Sequence, residues 1–232
     1  IKLVLPVDML ETTQSSLAKT AQLSRIRLSP NPDFKIFGFY LNNPEDILPV
    51  MTDFPDTLHA QISTEDWCCY HAGFGFYIFL VSSDRQALFS KPFIEKNQFL
   101  GSLTWHTLQL QKSRFEIYPE SRGLFLPHRL HLHQTSYIAF NKGCYKGQEI
   151  IARMHYKGTL KHDFKCFKIK TAEALFSGQL IKKMGDNTEL GELIDFSKVS
   201  SQEYVVALSV LKNAPNQVLF EGHAEAVTLV DL

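Results

Sequence analysis

Cysteine is scarce in this sequence, with four in 232 residues. Cys68 and Cys69 are adjacent, Cys144 and Cys166 stand apart, and no CxxC pair occurs, so there is neither a disulfide framework nor a standard metal-binding pair. A reducing cytoplasm is the compartment this usage predicts. A surplus of one charge is missing too. The 24 Lys and Arg balance 24 Asp and Glu, which excludes a histone-like protein that coats nucleic acid through bulk charge. Long apolar runs are absent: the longest spans a few residues, against the roughly 20 needed to cross a bilayer, and no membrane segment is expected. The first residues, IKLVLP from Ile1 to Pro6, lack the charged start and apolar stretch of a signal peptide. They read as a strand already under way, as in a chain cut out of a longer one.

What is present is an ordinary globular composition, 44% hydrophobic and 21% charged, with enough chain to bury a real core and too much apolar content for disorder. Asp8 to Ala21 has loosely helical spacing and Leu23 to Leu28 alternates, which predicts a helix and then a strand. Ile36 to Leu41 and Gly75 to Val81 read as buried strands and Asp84 to Glu95 as a short helix, with a proline-rich loop over Asn42 to Asp56. This mixture indicates an α+β lobe. From Thr159 onward the helical pattern disappears. Phe164 to Ile169, Gly178 to Ile181, Gly191 to Phe196, Glu203 to Val210, Val218 to Phe220 and His223 to Val230 form a series of short strands, the pattern of a small β-barrel or sandwich. The predicted domains are therefore 1–158 and 159–232.

The neutral total conceals two opposed segments. Asp33 to Asp66 holds seven acidic residues and one lysine, a net of −6, whereas Lys142 to Lys170 holds eight basic and two acidic residues, a net of +6. Such runs are most often solvated faces. The positive one contains the segment that carries chemistry, NKGCYKGQEIIARMHYKGTLK from Asn141 to Lys161. Cys144 lies between Gly143 and Gly147, flanked by Lys142 and Lys146, and Gln148 to Tyr156 can form two helical turns with Glu149 and Arg153 as a favourable i,i+4 pair. A cysteine just ahead of a helix N-terminus and between lysines is placed in a field that favours thiolate, the form that is nucleophilic, redox-active or metal-binding. The alternative is a half-buried structural cysteine. His128, His131, His133 and His155 are candidate neighbours, and Cys144 with two of them would make a transition-metal site, although the spacing is not a standard one. Cys68, Cys69 and Cys166 read as packing.

The run KGCYKGQEIIAR resembles the signature of the YgfZ family, folate-binding relatives of the glycine-cleavage T-protein that support iron–sulfur proteins and, in bacteria, tRNA modification. The family core is K-G-C-Y-x-G-Q-E followed two residues later by A-R. Lys142, Gly143, Cys144, Tyr145, Gly147, Gln148, Glu149 and Arg153 all match it. Phe125-Leu126-Pro127 and Leu132 fit the family's apolar-Pro stretch, and Trp105 falls where the family has a tryptophan lining the folate pocket. The chain departs from the pattern after Trp105. Leu110-Gln111-Lys112-Ser113 stands where the family usually has Ile-Glu-Ala-Gly, so Gln111 replaces an acidic side chain that could take charge-assisted bonds from a pterin.

The resemblance implies an α+β T-protein-like folate-binding lobe, with a further family segment expected before Ile1, followed by a C-terminal β-barrel. It also implies an assembly factor more than a catalyst; the absence of a heptad run or long amphipathic helix adds the expectation of a monomer. Its functional thiol would be Cys144, its cofactor tetrahydrofolate or a derivative held by Trp105 and Gln111, and its partners iron–sulfur enzymes or their assembly factors, with an indirect link to tRNA. The alternative is a tetrahydrofolate-dependent aminomethyltransferase of the T-protein type. A third reading, from the basic stretch alone, is an RNA-binding module in which Tyr145 and Tyr156 stack on bases while Lys161 and Lys165 contact phosphates.

Overall fold

Phenylalanine decides the first half of the fold. A computed structural model describes residues 2–43, 54–145 and 147–232, and the chain divides into two compact units, Ser16–Trp105 and the residues on either side of it. The division falls within helix α1 (Leu10–Leu23) and within helix α3 (Ser102–Gln111).

In the Ser16–Trp105 unit, strands β1 (Phe34–Tyr40), β2 (Gln61–Ser63), β3 (Trp67–Gly73) and β4 (Phe76–Ser82) form an antiparallel sheet in the order β1-β4-β3-β2. Period-two alternation places Phe37, Phe39, Tyr77, Phe79, Val81, Cys69 and Trp67 on one face, where Phe89 and Phe93 of α2 (Gln86–Glu95) cover them. Ring centroids in this cluster lie 5.1–6.4 Å apart, the range in which tilted and edge-on aromatic pairs attract. The opposite face holds Gly38 and Phe76, and Trp105 lies against both.

The second unit contains α4 (Gln148–Lys157) and strands β5 (His162–Lys170), β6 (Leu180–Lys182), β7 (Glu189–Lys198), β8 (Glu203–Leu211), β9 (Gln217–Phe220), β10 (Val227–Thr228) and β11 (Val230–Asp231). Their order is β10-β9-β6-β7-β8-β5-β11. The two margins of this sheet are β10 and β11, which only Leu229 separates in sequence. Margins one residue apart must meet in space, so the sheet is wrapped into a nearly closed barrel. Its inside is packed by Phe167, Ile181, Leu193, Leu208, Val218 and Phe220. Part of its outside is covered as well: Leu110, Leu130, Phe164, Ile194, Val205 and Ala207 form a separate cluster there.

Several expected elements are replaced. Leu23 to Leu28 is not a strand. Arg25 takes a left-handed conformation (φ 54°) and the Ile26 N–H donates to the Ala21 carbonyl at 2.8 Å, so the segment caps α1. Lys2 to Pro6 forms no strand and leads into a 3-10 turn at Val7–Met9. His223 to Val230 is two short pairings in place of one strand, because the chain passes there from one margin to the other. Helix α3 was not expected, since Leu110 is its one fully buried side chain and leaves little periodic signal. Most of the proline-rich loop lies outside the described residues. Among the described residues no helix is long and apolar enough to cross a membrane.

One close approach fixes the barrel's strand spacing. A Cβ on Gly191 would lie 2.0 Å from the Ser209 carbonyl oxygen and 2.8 Å from Val210 Cα, both backbone atoms that cannot swing aside. Gly191→Ala should therefore destabilise the protein by about 2 kcal/mol or more in chemical denaturation; unchanged stability would mean that β7 and β8 part without cost.

Candidate functional site

The cysteine loop is built by its glycine. Gly147, at φ 88° and ψ 1°, is the N-cap of α4 in a left-handed conformation that costs glycine nothing. It turns the chain so that the Gln148 N–H donates to the Tyr145 carbonyl at 3.2 Å and the Ile151 N–H to the Gly147 carbonyl at 3.2 Å. Cys144 lies four residues before the first residue of the helix, exposed and free. The other thiols contrast with it. Burial, followed by the neighbouring Cys68, pushes Cys69 up to about 12, and burial pushes Cys166 up to about 12 despite a hydrogen bond from Ser113. Both stay protonated at neutral pH.

Around the loop the cations are open. The Lys142 ammonium stands 4.6 Å from the Tyr145 ring centroid, a cation–π contact that holds the two flanks of Cys144 together. Lys146 lies outside the described residues. Glu149 and Arg153 are both exposed and make no ion pair with each other, so the expected i,i+4 brace is not made. A solvated pair gains little from closing, which explains why each side chain stays in water. Helix α4 itself buries no side chain completely; Gln148, Ile151, Ala152 and Met154 are half-buried.

The structure brings all four candidate histidines into one neighbourhood, with His131 6.1 Å from His133. Two 3-10 turns, Pro127–Leu130 and Leu132–Gln134, meet at His131, which is left-handed (φ 55°). That kink breaks the regular spacing of the run. It sends His131 to Asp163, 2.9 Å away, and returns His133 onto His128, with ring centroids 4.7 Å apart and 26° between planes. His155 of α4 lies 6.3 Å from His128 and stacks on Phe140 at 3.9 Å. Among the described residues no group of three or more His, Cys, Asp or Glu is arranged to hold a metal ion.

The two residues expected to hold folate fall in different units. Trp105 is half-buried, its six-membered ring lying so close to Gly38 that any Cβ there would approach to 2.5 Å, and its edge meets Phe76 at 5.1 Å. Gln111 is exposed and lines a cavity of about 560 Å³ on the barrel, with Lys168, Lys170, Tyr204 and Val230.

A buried polar cluster was not anticipated. Asp195 is fully buried and accepts four hydrogen bonds: from Tyr118 Oη at 2.8 Å, His106 Nε2 at 2.9 Å, and the Glu116 and Phe196 N–H groups at 2.7 Å each. A bulge between Leu193 and Asp195 makes this possible. Without it, Asp195 would share the inward face of Leu193; the extra residue turns it to the outer face, beside its cross-strand partner Ala207. Burial alone would lower His106, but its hydrogen bond to Asp195 and the charges of Asp195 and Glu116 outweigh that and hold it above the ordinary histidine value. Burial raises Glu116, and Asp195 adds to it against the opposing charge of His106. The sequence signal was an aspartate inside the apolar run GELIDF, but nothing in spacing joins it to His106 or Tyr118.

No family model matches the chain. The tRNA-modifying proteins YgfZ of Yersinia pseudotuberculosis, Yersinia enterocolitica and Yersinia pestis are each 27% identical to it over 159 residues, 66% of this chain and 48% of theirs. The chain is similar to the YgfZ proteins. It spans about half the length of the curated YgfZ relatives it matches. The crystal structure of glycine cleavage system aminomethyltransferase T from Bartonella henselae superposes with a TM-score of 0.50 at 13% identity, covering 73% of this chain and 50% of that one. That likeness shows the fold, an α+β T-protein-like arrangement, as the YgfZ resemblance implies.

Asp195→Asn should cost about 3 kcal/mol of stability, since it leaves a buried site of four donors without its charge. It should also lower the His106 titration, followed by NMR, because burial is then opposed only by the charge of Glu116. In the wild type the stabilisation from His106 is complete below pH 6.5 and is lost as pH rises through its elevated value. A His106 titration unmoved by the substitution would refute this assignment.

Proposed function

We propose that this chain is a YgfZ-like accessory protein that supports iron–sulfur enzymes and tRNA modification through the thiol of Cys144. The observation that carries the reading is the state of that thiol. It is exposed, in no disulfide, and lies four residues ahead of α4 with Lys142 two residues before it, while Cys69 is buried and Cys166 half-buried. The similarity to tRNA-modifying YgfZ proteins supports the same role. In it Gly147 shapes the loop, Gly143 and Tyr145 carry the backbone past the thiol, Lys142 fixes Tyr145, and Gln148, Glu149 and Arg153 present the first helical turns to a partner. The partners are iron–sulfur enzymes or their assembly factors, and the setting is cytoplasmic.

Tetrahydrofolate or a derivative is the cofactor this reading implies, and the two candidate residues suit it unequally. Trp105 suits it: the indole is backed by Gly38 and edged by Phe76, a rigid aromatic wall that is still half-exposed. Gln111 offers an amide without charge, on the barrel cavity. The aminomethyltransferase alternative draws on the T-protein fold. It needs a carboxylate free to orient the attacking nitrogen, and Asp195, the most buried acid of its unit, is fully occupied by four donors.

In full-length protein, Cys144→Ala should reduce complementation of a tRNA-modification or iron–sulfur defect at least tenfold while leaving the circular dichroism spectrum unchanged; full activity would overturn the proposal. Tetrahydrofolate should quench tryptophan fluorescence in the wild type and much less in Trp105→Phe. Quenching of equal size in both would remove Trp105 from the folate reading. Turnover in a glycine-cleavage assay that survives loss of Cys144 would favour the aminomethyltransferase.

A further inference from the structure

His128 is 1% exposed, yet among the described residues neither of its ring nitrogens has a hydrogen-bond partner, and Nδ1 of His133 is likewise buried and unsatisfied. Buried polar atoms are almost always paired, because an unmade hydrogen bond leaves the full cost of desolvation uncompensated. Three such nitrogens in one cluster of stacked imidazoles are therefore an anomaly that asks for a role.

The cluster joins two pieces of chain. His128 and His133 belong to the 3-10 turns and His155 belongs to α4, which has no completely buried side chain of its own. The charges felt at His128 are those of His133 and His155. Nearby carboxylates are already engaged. Asp163 meets His131 at 2.9 Å and Lys165 at 3.9 Å, and Glu192 is paired with Arg129. His162, on β5, is lowered by burial and then by Arg129. On α4 the remaining charged groups, Glu149, Arg153 and Lys157, are exposed. A proton on His128 would thus find no anion and two neighbouring imidazoles.

We propose that the His128–His133 stack, with the exposed ring of His155 beside it, is a proton-operated latch for the motif helix: neutral, the group seats α4 against the 127–134 turns, and charged, it repels itself and releases them. The device deepens the function proposed for Cys144, since α4 begins four residues after that thiol, but it does not depend on which chemistry the thiol performs.

The sign follows from burial. Burial first, and then the neighbouring histidines, place both His128 and His133 below the ordinary value of 6.5. The seated form therefore binds fewer protons than the released one, and its stability is present above pH 6.5 and lost as pH falls through the depressed values. Each such histidine can change the opening equilibrium by up to about tenfold per pH unit in that window.

Hydrogen–deuterium exchange of the full chain, corrected for intrinsic rates and compared between pH 7.5 and pH 5.5, tests the latch. Amides of Gln148–Lys157 should lose about tenfold or more of their protection at the lower pH, while those of β7 and β8 keep theirs. His155→Phe, which retains the stack on Phe140 but cannot be charged, and His128→Phe should each flatten that pH dependence. Equal loss of protection in the variants and the wild type would overturn the proposal. Should both variants unfold, the wild-type histidine Cε1–H resonances decide it: His128 titrating at or above 6.5 refutes the latch, and titration below 6.5 in step with the α4 exchange supports it.

Discussion

The second unit depends on one carboxylate. Asp195 lies on the outer face of the barrel, without solvent, and is tolerable there only because four donors converge on it. Three of those donors come from His106 of α3 and from Glu116 and Tyr118 in the segment after it, so satisfying the charge and docking that segment are one event. The same outer face continues the pattern. Thr107 bonds Ser197 at 2.7 Å, and Arg129 reaches both Ser209 and Glu192. A row of polar residues on β7 and β8 thereby fixes the register of the chain from His106 to Arg129, while Leu110, Leu130 and Ile194 fill the space around it. Apolar packing alone is not directional. The polar row supplies the direction, and the turns that lead to the histidine stack start from Arg129's anchored end.

Histidine is used in two opposite ways within this unit. His106 is buried beside a carboxylate and gains charge; His128 is buried beside other imidazoles and loses it. The same side chain thus contributes stability that fades with rising pH at one place and with falling pH at the other. Its surroundings, not its identity, set the sign.

Elements with a strong period were legible in the sequence. Helix α4 and its glycine entry, the aromatic strands β1 and β4, and most of the barrel strands follow from alternation and turn residues, and the cysteine loop follows from its motif. What was hidden depends on distant partners. Asp195 meets His106 and Tyr118 only after a bulge shifts its face, and a bulge leaves no mark on local spacing. The stack of His128 on His133 requires His131 to adopt a left-handed conformation that its residue type does not call for. Leu23 to Leu28 has the alternation of a strand but no neighbour to pair with, and the helix end took it. Glu149 and Arg153 have favourable spacing but remain apart in water.

The single residue between β10 and β11 ties the barrel's two free margins into one segment. Leu229 is buried inside, and its N–H donates to the Asn216 carbonyl at 2.7 Å, just ahead of β9. Neither margin can slip in register without dragging the other in the opposite sense around the circumference. The two margins are therefore held in one register, and the closure of the barrel rests on that single segment.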